Sequence, residues 1–294
     1  MTWSFPYLGE TEDLDDHARA CCPGEFVQVE NGFTHYQLAG PRSGQPVVLV
    51  HGFSVPYFIW DPTFQFLSSR GFRVLRYDLF GRGLSDRPRI RYTIDLFCKQ
   101  LRDVLDTLAI EGPVHLIGLS MGGPITATYA SRFPGRVKRL VLIDPAGARE
   151  VKLGIGFKGA TLPGLGELLF GLFGGEALIK GIAADFFGPD LVAQFQEKYW
   201  IQMRYKGFKR AILSTIRNGM LGDFATIYRE LGQQNLPTLL VWGENDRTIP
   251  LSQSEVIRAL IPSIEFHCIR NSGHVPHFEQ PDEVNRILAK FLIR

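Results

Sequence analysis

The stretch His115–Ala130, HLIGLSMGGPITATYA, holds a serine in the pattern Gly-x-Ser-x-Gly between an apolar run and a helix-like run. In this pattern a strand turns sharply into a helix and presents the serine at the turn, while Gly118 and Gly122 let the two elements approach closely. The helix N-terminus beyond Ser120 then favours developing negative charge. The pattern alone does not separate a nucleophile from a small residue in a tight turn.

Short apolar runs on both sides of this stretch predict a buried sheet, because strands covered on both faces are apolar throughout. The runs are Val47–Val50, Arg73–Asp78, Val114–Gly118, Arg139–Asp144, Thr238–Trp242 and Glu265–Ile269. Helical patterns of period 3.6 lie between them, and Asn31-Gly32 predicts an antiparallel hairpin within Glu25–Gly40. The sequence therefore predicts an α/β fold with a doubly wound, mostly parallel, eight-stranded sheet.

A long gap separates the strand that ends at Asp144 from the one that begins at Thr238. Because a structureless loop of that length is uncommon, we predict a helical cap at residues 147–233, inserted after the sixth strand. Residues 1–146 and 234–294 form the predicted core of the same domain. Apolar residues of the early cap are expected either to line a pocket above Ser120 or to pack the cap onto the core: Leu153, Leu162, Leu165, Leu168, Leu169, Phe170, Leu172 and Phe173.

The residues that follow the strands carry the functional argument, because ligands of such sheets bind at the carboxyl ends of the strands. Ser120 needs a base to accept its proton, and the base needs an acid to orient it. His274 and Asp246 each follow a later strand and supply these groups. The order Ser, Asp, His is the one that accompanies a Gly-x-Ser-x-Gly turn.

Five segments together resemble the serine-dependent α/β-hydrolases across nearly the whole chain. They are LVHGF (49–53), YDLFGRGLSDRP (77–88), LIGLSMGG (116–123), LLVWGENDRTIP (239–250) and NSGHVPHFEQP (271–281). The resemblance implies a nucleophile at Ser120, a base at His274 and an acid at Asp246. It also implies an oxyanion hole built from the backbone N–H groups of Phe53 and Met121.

Two of these assignments have competitors in the sequence. His277 lies three residues beyond His274, but the family's histidine precedes the x-Pro-His step, which selects His274. Asp144 also ends a strand, and some family members take their acid there. The family-like context from Gly243 to Pro250 favours Asp246, and Asp144 stays open as the alternative.

For other polar residues near these segments we predict structural roles. We expect His51 to hold the His-Gly loop so that the Phe53 N–H points into the site, and Asp78 to organise its own loop. Glu244 is expected to face solvent or to support the site from behind. The segment GIGFKG (154–159) fits Gly-x-Gly-x-x-Gly, but it does not follow a strand directly, so we predict a cap segment and no dinucleotide site.

Composition excludes several classes of partner. The 294-residue chain has a net charge of +2 and no Lys/Arg run, which argues against nucleic-acid binding. No apolar stretch is long enough to predict membrane insertion. The four cysteines form neither a disulfide framework nor a zinc pattern, and no signal peptide is visible, so we expect a cytoplasmic protein without metal or cofactor.

The predicted reaction is hydrolysis of a carboxylic ester through an acyl-enzyme on Ser120, with an apolar acyl chain, as in carboxylesterases or monoacylglycerol lipases. Related dehalogenases and epoxide hydrolases carry aspartate where this chain has Ser120. Alternatives within the family are C–C hydrolysis of ring-cleavage products and lactonase or perhydrolase activity. An alternative outside catalysis is a small-molecule receptor that keeps the fold.

Overall fold

The structure is a computed structural model that describes residues 7–151, 159 and 162–294. It contains the predicted eight-stranded sheet. The strands are β1 Glu25–Val29, β2 Gly32–Ala39, β3 Pro46–Val50, β4 Arg73–Tyr77, β5 Val114–Leu119, β6 Val137–Ile143, β7 Thr238–Gly243 and β8 Glu265–Ile269.

The strand order in the sheet is β1-β2-β4-β3-β5-β6-β7-β8. The hairpin strands β1 and β2 pair antiparallel, β2 pairs antiparallel with β4, and all later pairs are parallel, which confirms the mostly parallel sheet. The direction of strand succession reverses between β3 and β5. A reversal of this kind opens a crevice at the carboxyl ends of the two strands, and ligands of open α/β sheets bind there.

Helices cover both faces of the sheet. They are α1 Asp16–Ala20, α2 Asp61–Ser69, α3 Ile94–Thr107, α4 Gly122–Arg132, α5 Leu165–Ile182, α6 Val192–Met203, α7 Phe208–Arg217, α8 Ala225–Gly232, α9 Gln253–Leu260, α10 Pro276–Glu279 and α11 Pro281–Ile293.

Alternate residues of the strands enter two hydrophobic clusters, one on each face. On β3, for example, Val48 and Val50 join one cluster while Val47 and Leu49 join the other. The first cluster includes the buried faces of α3 and α4, and the second includes those of α2 and α11. Successive side chains of a strand point to opposite faces of the sheet. Because both faces are buried here, the sequence shows continuous apolar runs.

The helices α5, α6 and α7 lie between β6 and β7, and we call them the cap helices. Their buried side chains, among them Phe170, Phe195 and Phe208, continue the second hydrophobic cluster. The division of the chain into a core of residues 1–146 and 234–294 and a cap of residues 147–233 stays a prediction. Most of the segment 154–159, which matches Gly-x-Gly-x-x-Gly, lies outside the described residues.

The described helices include none that is long and apolar enough to cross a membrane. The cysteines Cys21, Cys22, Cys98 and Cys268 are free thiols.

Close packing of α4 against β3 requires a glycine at position 122. A Cβ atom at Gly122 would lie 2.3 Å from the carbonyl oxygen of Val50 and 2.7 Å from that of His51. Both neighbours are backbone atoms, so Gly122→Ala is expected to lower the free energy of unfolding by about 2–3 kcal/mol. Thermal or urea unfolding measures the change.

Gly181 in α5 provides the matched control, because a Cβ atom there meets nothing within 4 Å. Gly181→Ala is expected to leave stability unchanged or raise it by up to about 1 kcal/mol through helix propensity. Equal stability of the two variants would contradict the account of the α4 packing.

Candidate active site

Ser120 occupies the turn between β5 and α4 in a left-handed conformation, with φ at +53°. Its N–H donates to the carbonyl of Ile143 at 3.0 Å, and its carbonyl accepts from the N–H groups of Gly123 and Ala146 at 2.9 and 3.0 Å. A non-glycine residue in this region carries backbone strain, which is commonly stored at functional sites. The turn holds the half-buried Ser120 side chain at the wall of a cavity.

The loop after β3 reaches the same place. A Cβ atom at Gly52 would lie 3.1 Å from Cβ and 3.6 Å from Oγ of Ser120. The next residue, Phe53, also lines the cavity. The two loops therefore meet at the crevice where strand succession reverses.

The buried His51 ring fixes the peptide that carries the Phe53 N–H. Burial, the largest influence, lowers the pKa of His51 to about 4, so the ring is neutral near pH 7. Nε2 accepts from the Leu79 N–H at 2.9 Å, so the ring proton is on Nδ1, which donates to the Gly52 carbonyl at 3.0 Å. Because the Gly52 carbonyl and the Phe53 N–H belong to one peptide plane, this bond orients the N–H as well.

Two backbone N–H groups, one on a residue that lines the cavity and one next to Ser120, have no acceptor within the described part of the chain. Neither the Phe53 N–H nor the Met121 N–H donates to another group among the described residues. Met121 directly follows Ser120 and precedes the first turn of α4, where helix N–H groups point toward the site. Free donors of this kind can bind an oxyanion.

His274 and Asp246 form a direct pair behind the cavity wall. The Nδ1 atom of His274 lies 2.7 Å from Oδ2 of Asp246, and both side chains are almost completely buried. The other carboxylate oxygen, Oδ1, accepts from the N–H groups of Thr248 and Ile249 at 2.8 Å each. These bonds fix the Asp246 carboxylate and leave Nε2 of His274 for the cavity side.

Opposing influences set the pKa of His274. Burial is the largest and lowers it, but the charge of Asp246, the hydrogen bond from His274 to Asp246 and the charge of Asp185 raise it. The net pKa of His274 is above its ordinary value. Asp185 belongs to the turn after α5, and its backbone carbonyl accepts from the His274 N–H at 2.8 Å.

Asp144 lies beside this pair in a fully buried position. Its Oδ1 accepts from the Gly243 N–H at 2.9 Å, and its φ is +41°. Burial and then the charge of Asp246 raise the pKa of Asp144 well above its ordinary value. Asp144 therefore bonds to the backbone of β7, whereas Asp246 makes the contact with His274.

The same three side chains are the group in the described residues best placed for a metal. One ligand atom from each of Asp144, Asp246 and His274 lies within 4.8 Å of the others. The carboxylate of Asp246 already accepts three hydrogen bonds, so a metal here would have to break the contact with His274. The donor set fits a hydrogen-bonded acid–base cluster better than a metal centre.

The remaining sequence candidates lie around the site. His277 is buried against Trp60, donates from Nε2 to the Ile59 carbonyl at 3.1 Å, and has its pKa lowered to about 3 by burial. Asp78 joins two loops, because its carboxylate accepts from the N–H groups of Tyr57 and Leu84 at 2.8 and 2.9 Å. The Glu244 side chain is exposed.

The cavity has a volume of about 320 Å³ and lies between these loops and the cap helices. Ser120, His274 and Phe53 lie on its core side. Most of its other described lining residues are apolar: Val55, Ile59, Leu119, Ala146, Val151, Ala177, Leu178, Ile182, Ala184, Leu221, Ile249 and Val275.

The prediction that apolar side chains of the early cap line the pocket is wrong for the residues that the structure describes. Six of them are 37–61% exposed: Leu162, Leu165, Leu168, Leu169, Leu172 and Phe173. Phe170 is buried but does not line the cavity, and Leu153 lies outside the described residues. The opposite face of α5 lines the cavity through Ala177, Leu178, Gly181 and Ile182.

Two residues that contact the site were not predicted from the sequence. Asp185 follows a run of small cap residues, and no motif marks it. Arg82 lies within the segment YDLFGRGLSDRP, and its side chain donates from Nε to the Phe53 carbonyl at 2.7 Å. The signal for Arg82 was a charged residue between two glycines, in the loop that follows a buried strand.

The chain belongs to the alpha/beta hydrolase family, whose family model matches residues 47–287. Carboxylesterase YbfK of Bacillus subtilis is 30% identical over 269 residues, covering 91% of this chain and 86% of that protein. The crystal structure of YbfK superposes with a TM-score of 0.76 at 28% identity, covering 94% of this chain and 95% of that one.

Two further relatives carry different names. The 2-hydroxy-6-oxo-2,4-heptadienoate hydrolase of Pseudomonas putida is 31% identical over 263 residues, covering 85% of this chain and 90% of that protein. Lipase 1 of Psychrobacter immobilis is 28% identical over 281 residues, covering 94% of this chain and 84% of that protein. The relatives thus include an esterase, a lipase and a dienoate hydrolase on one fold.

Proposed function

We propose that the protein hydrolyses carboxylic esters through an acyl-enzyme on Ser120. The observation that carries the proposal is that His274, which lines the same cavity as Ser120, is held 2.7 Å from the buried Asp246 carboxylate. In this scheme His274 is the base and Asp246 orients it. The relationship to carboxylesterase YbfK supports the same reaction class.

The reaction has two halves. His274 Nε2 accepts the Ser120 proton as Oγ attacks the ester carbonyl, and the N–H groups of Phe53 and Met121 bind the oxyanion. The C–O bond to the alcohol breaks, and the alcohol leaves with the proton from His274. Water then attacks the acyl-enzyme, gives a proton to His274, and the carboxylic acid leaves as Ser120 regains its hydrogen.

The proposed substrates carry an apolar acyl chain, because the cavity wall is mostly apolar. A panel of p-nitrophenyl esters of increasing chain length tests this directly. Hydrolysis of short and medium apolar chains, with poor turnover of charged acyl groups, is the expected result. The proposed location in the cytoplasm is tested separately by fractionating the cells that produce the protein.

A second candidate is hydrolysis of a C–C bond in a ring-cleavage product, supported by the 31% identity to the heptadienoate hydrolase. The loop His-Gly-Phe-Ser-Val-Pro (51–56) differs from the His-Gly-x-Gly-Pro loop common in such enzymes. Including dienone acids and lactones in the substrate panel separates the two reactions. A higher kcat/KM for dienone acids than for every ester would favour the second candidate.

The proposed base makes a prediction about pH. His274 must be neutral to accept the Ser120 proton, so kcat/KM falls as the pH drops through its pKa in the free enzyme. Because that pKa is raised, the acid limb of the profile is expected above the ordinary histidine value of about 6.5. A pH–rate profile with an uncharged ester measures it.

Asp185→Asn sharpens this test, because the Asp185 charge is one of the influences that raise the pKa of His274. The acid limb is expected to move to lower pH in this variant. Glu244→Gln is the matched control, since Glu244 is exposed. An acid limb that moves in the control and stays in Asp185→Asn would contradict the assignment of His274.

A further inference from the structure

Arg82 is a fully buried cation without a carboxylate partner among the described residues. Burial lowers its pKa to about 10, so the guanidinium is still charged near pH 7. The rings of Phe53, Tyr92 and Phe97 lie 5.6–5.9 Å from its central carbon. Burying a cation against neutral acceptors is unfavourable, and simple packing does not require a charge.

The guanidinium joins three separate parts of the chain. Nε donates to the Phe53 carbonyl at 2.7 Å, Nη1 to the Phe80 carbonyl at 3.2 Å, and Nη2 to the Thr215 hydroxyl at 2.8 Å. The Thr215 hydroxyl in turn donates to the Ala211 carbonyl at 2.8 Å, so its lone pair faces Arg82. Thr215 and Ala211 belong to the cap helix α7.

A second residue of the cap helices holds the next peptide of the same loop. Gln202 of α6 donates from Nε2 to the Ser54 carbonyl at 2.8 Å, and its Oε1 accepts from the Gly83 N–H at 2.8 Å. Arg82 and Gln202 therefore fix two successive carbonyls, those of Phe53 and Ser54. Both also contact the turn that contains Gly83, so one network spans the loop after β3, the turn after β4 and the cap helices.

We propose that Arg82 is a positioning residue. It couples the position of the cap helices to the geometry of the loop after β3, which carries Phe53 (the Phe53 loop). The inference rests on the proposed function, in which the Phe53 N–H binds the oxyanion. His51 fixes that N–H from the core side, and Arg82 fixes the following carbonyl with the help of α7. When the Thr215 contact is lost, Arg82 keeps its charge but loses the acceptor that sets its plane. The Phe53 loop then samples positions in which its N–H is misplaced for the oxyanion.

Thr215→Val tests the proposal, because valine has nearly the shape of threonine and carries a methyl group in place of the hydroxyl. We expect kcat to fall about tenfold while KM stays within about twofold, since the misplaced donor acts on the transition state. The rate of inactivation by a fluorophosphonate, which forms a tetrahedral adduct, is expected to fall in parallel. Ester hydrolysis by the wild type is measured first.

Ser214→Ala provides a matched control on the same helix. Ser214 Oγ accepts from the Tyr92 N–H at 3.1 Å, which joins α7 to the core without contacting the Phe53 loop. This variant is expected to lose some thermal stability and to keep kcat within about twofold. A purely structural role of Thr215 would give both variants the same behaviour.

Arg82→Lys completes the experiment, because lysine keeps the charge but lacks the fork of donors. In the double variant Arg82→Lys/Thr215→Val, kcat is expected to be no lower than in Arg82→Lys alone, since both changes break one linkage. An active wild type with unchanged kcat in Thr215→Val, or with equal losses in Thr215→Val and Ser214→Ala, overturns this proposal alone. A wild type that neither hydrolyses esters nor reacts with the fluorophosphonate overturns the proposed function and this inference with it.

Discussion

Ser120→Ala is expected to lower kcat for p-nitrophenyl esters by about 10⁴- to 10⁶-fold, the range typical of a lost serine nucleophile. Without Oγ no acyl-enzyme forms, and only the oxyanion donors and the binding cavity remain. Residual turnover is expected to show no initial burst of p-nitrophenol. Purified variant and wild type are compared at equal concentration.

The strained backbone at Ser120 supplies a control for this result. Because φ is +53°, glycine relieves strain of about 1–2 kcal/mol that alanine retains. Ser120→Gly is therefore expected to be inactive and more stable than Ser120→Ala in thermal unfolding. Full esterase activity in either variant would contradict the role of Ser120, and a less stable glycine variant would contradict the strain.

Asp246→Asn is expected to lower kcat by about 10⁴-fold, because an amide no longer holds the imidazole in the tautomer that accepts the serine proton. The Oδ2 atom of Asp246 receives the Nδ1–H of His274 at 2.7 Å, and both side chains are almost completely buried. The pH–rate profile should change as well, because the charge that raises the pKa of His274 is gone.

Asp144→Asn is the matched comparison for the acid. Asp144 is buried, its pKa is raised well above the ordinary value, and its Oδ1 accepts from the Gly243 N–H. An asparagine keeps that acceptor, and the bond to His274 is made by Asp246, so kcat is expected to stay within about tenfold of the wild type. A larger loss in Asp144→Asn than in Asp246→Asn would assign the acid to the strand β6 instead.

The sheet could be predicted from the sequence because buried parallel strands leave an unambiguous pattern. Runs such as Val47–Val50 and Thr238–Trp242 lie within the observed β3 and β7. The carboxyl ends of β5, β7 and β8 then place Ser120, Asp246 and His274 at one edge of the sheet. Patterns that extend over only a few residues were sufficient to predict these strands and the residues that follow them.

The orientation of the cap helix α5 could not be predicted. Its sequence is apolar on nearly all sides and interrupted by glycines, so no single apolar face indicates the side that packs. The structure exposes Leu165, Leu168 and Leu172 and turns Leu178 and Ile182 inward. This choice depends on tertiary contacts, as does the bond from Arg82 to Thr215, which joins residues 133 positions apart.

Covalent labelling of the nucleophile tests the central claim most directly. The wild type is treated with a fluorophosphonate, and the modified peptide is located by mass spectrometry. The account predicts one adduct, on Ser120, formed at the rate at which esterase activity is lost and absent from Ser120→Ala. An adduct on another residue, or complete loss of activity without modification of Ser120, would contradict it.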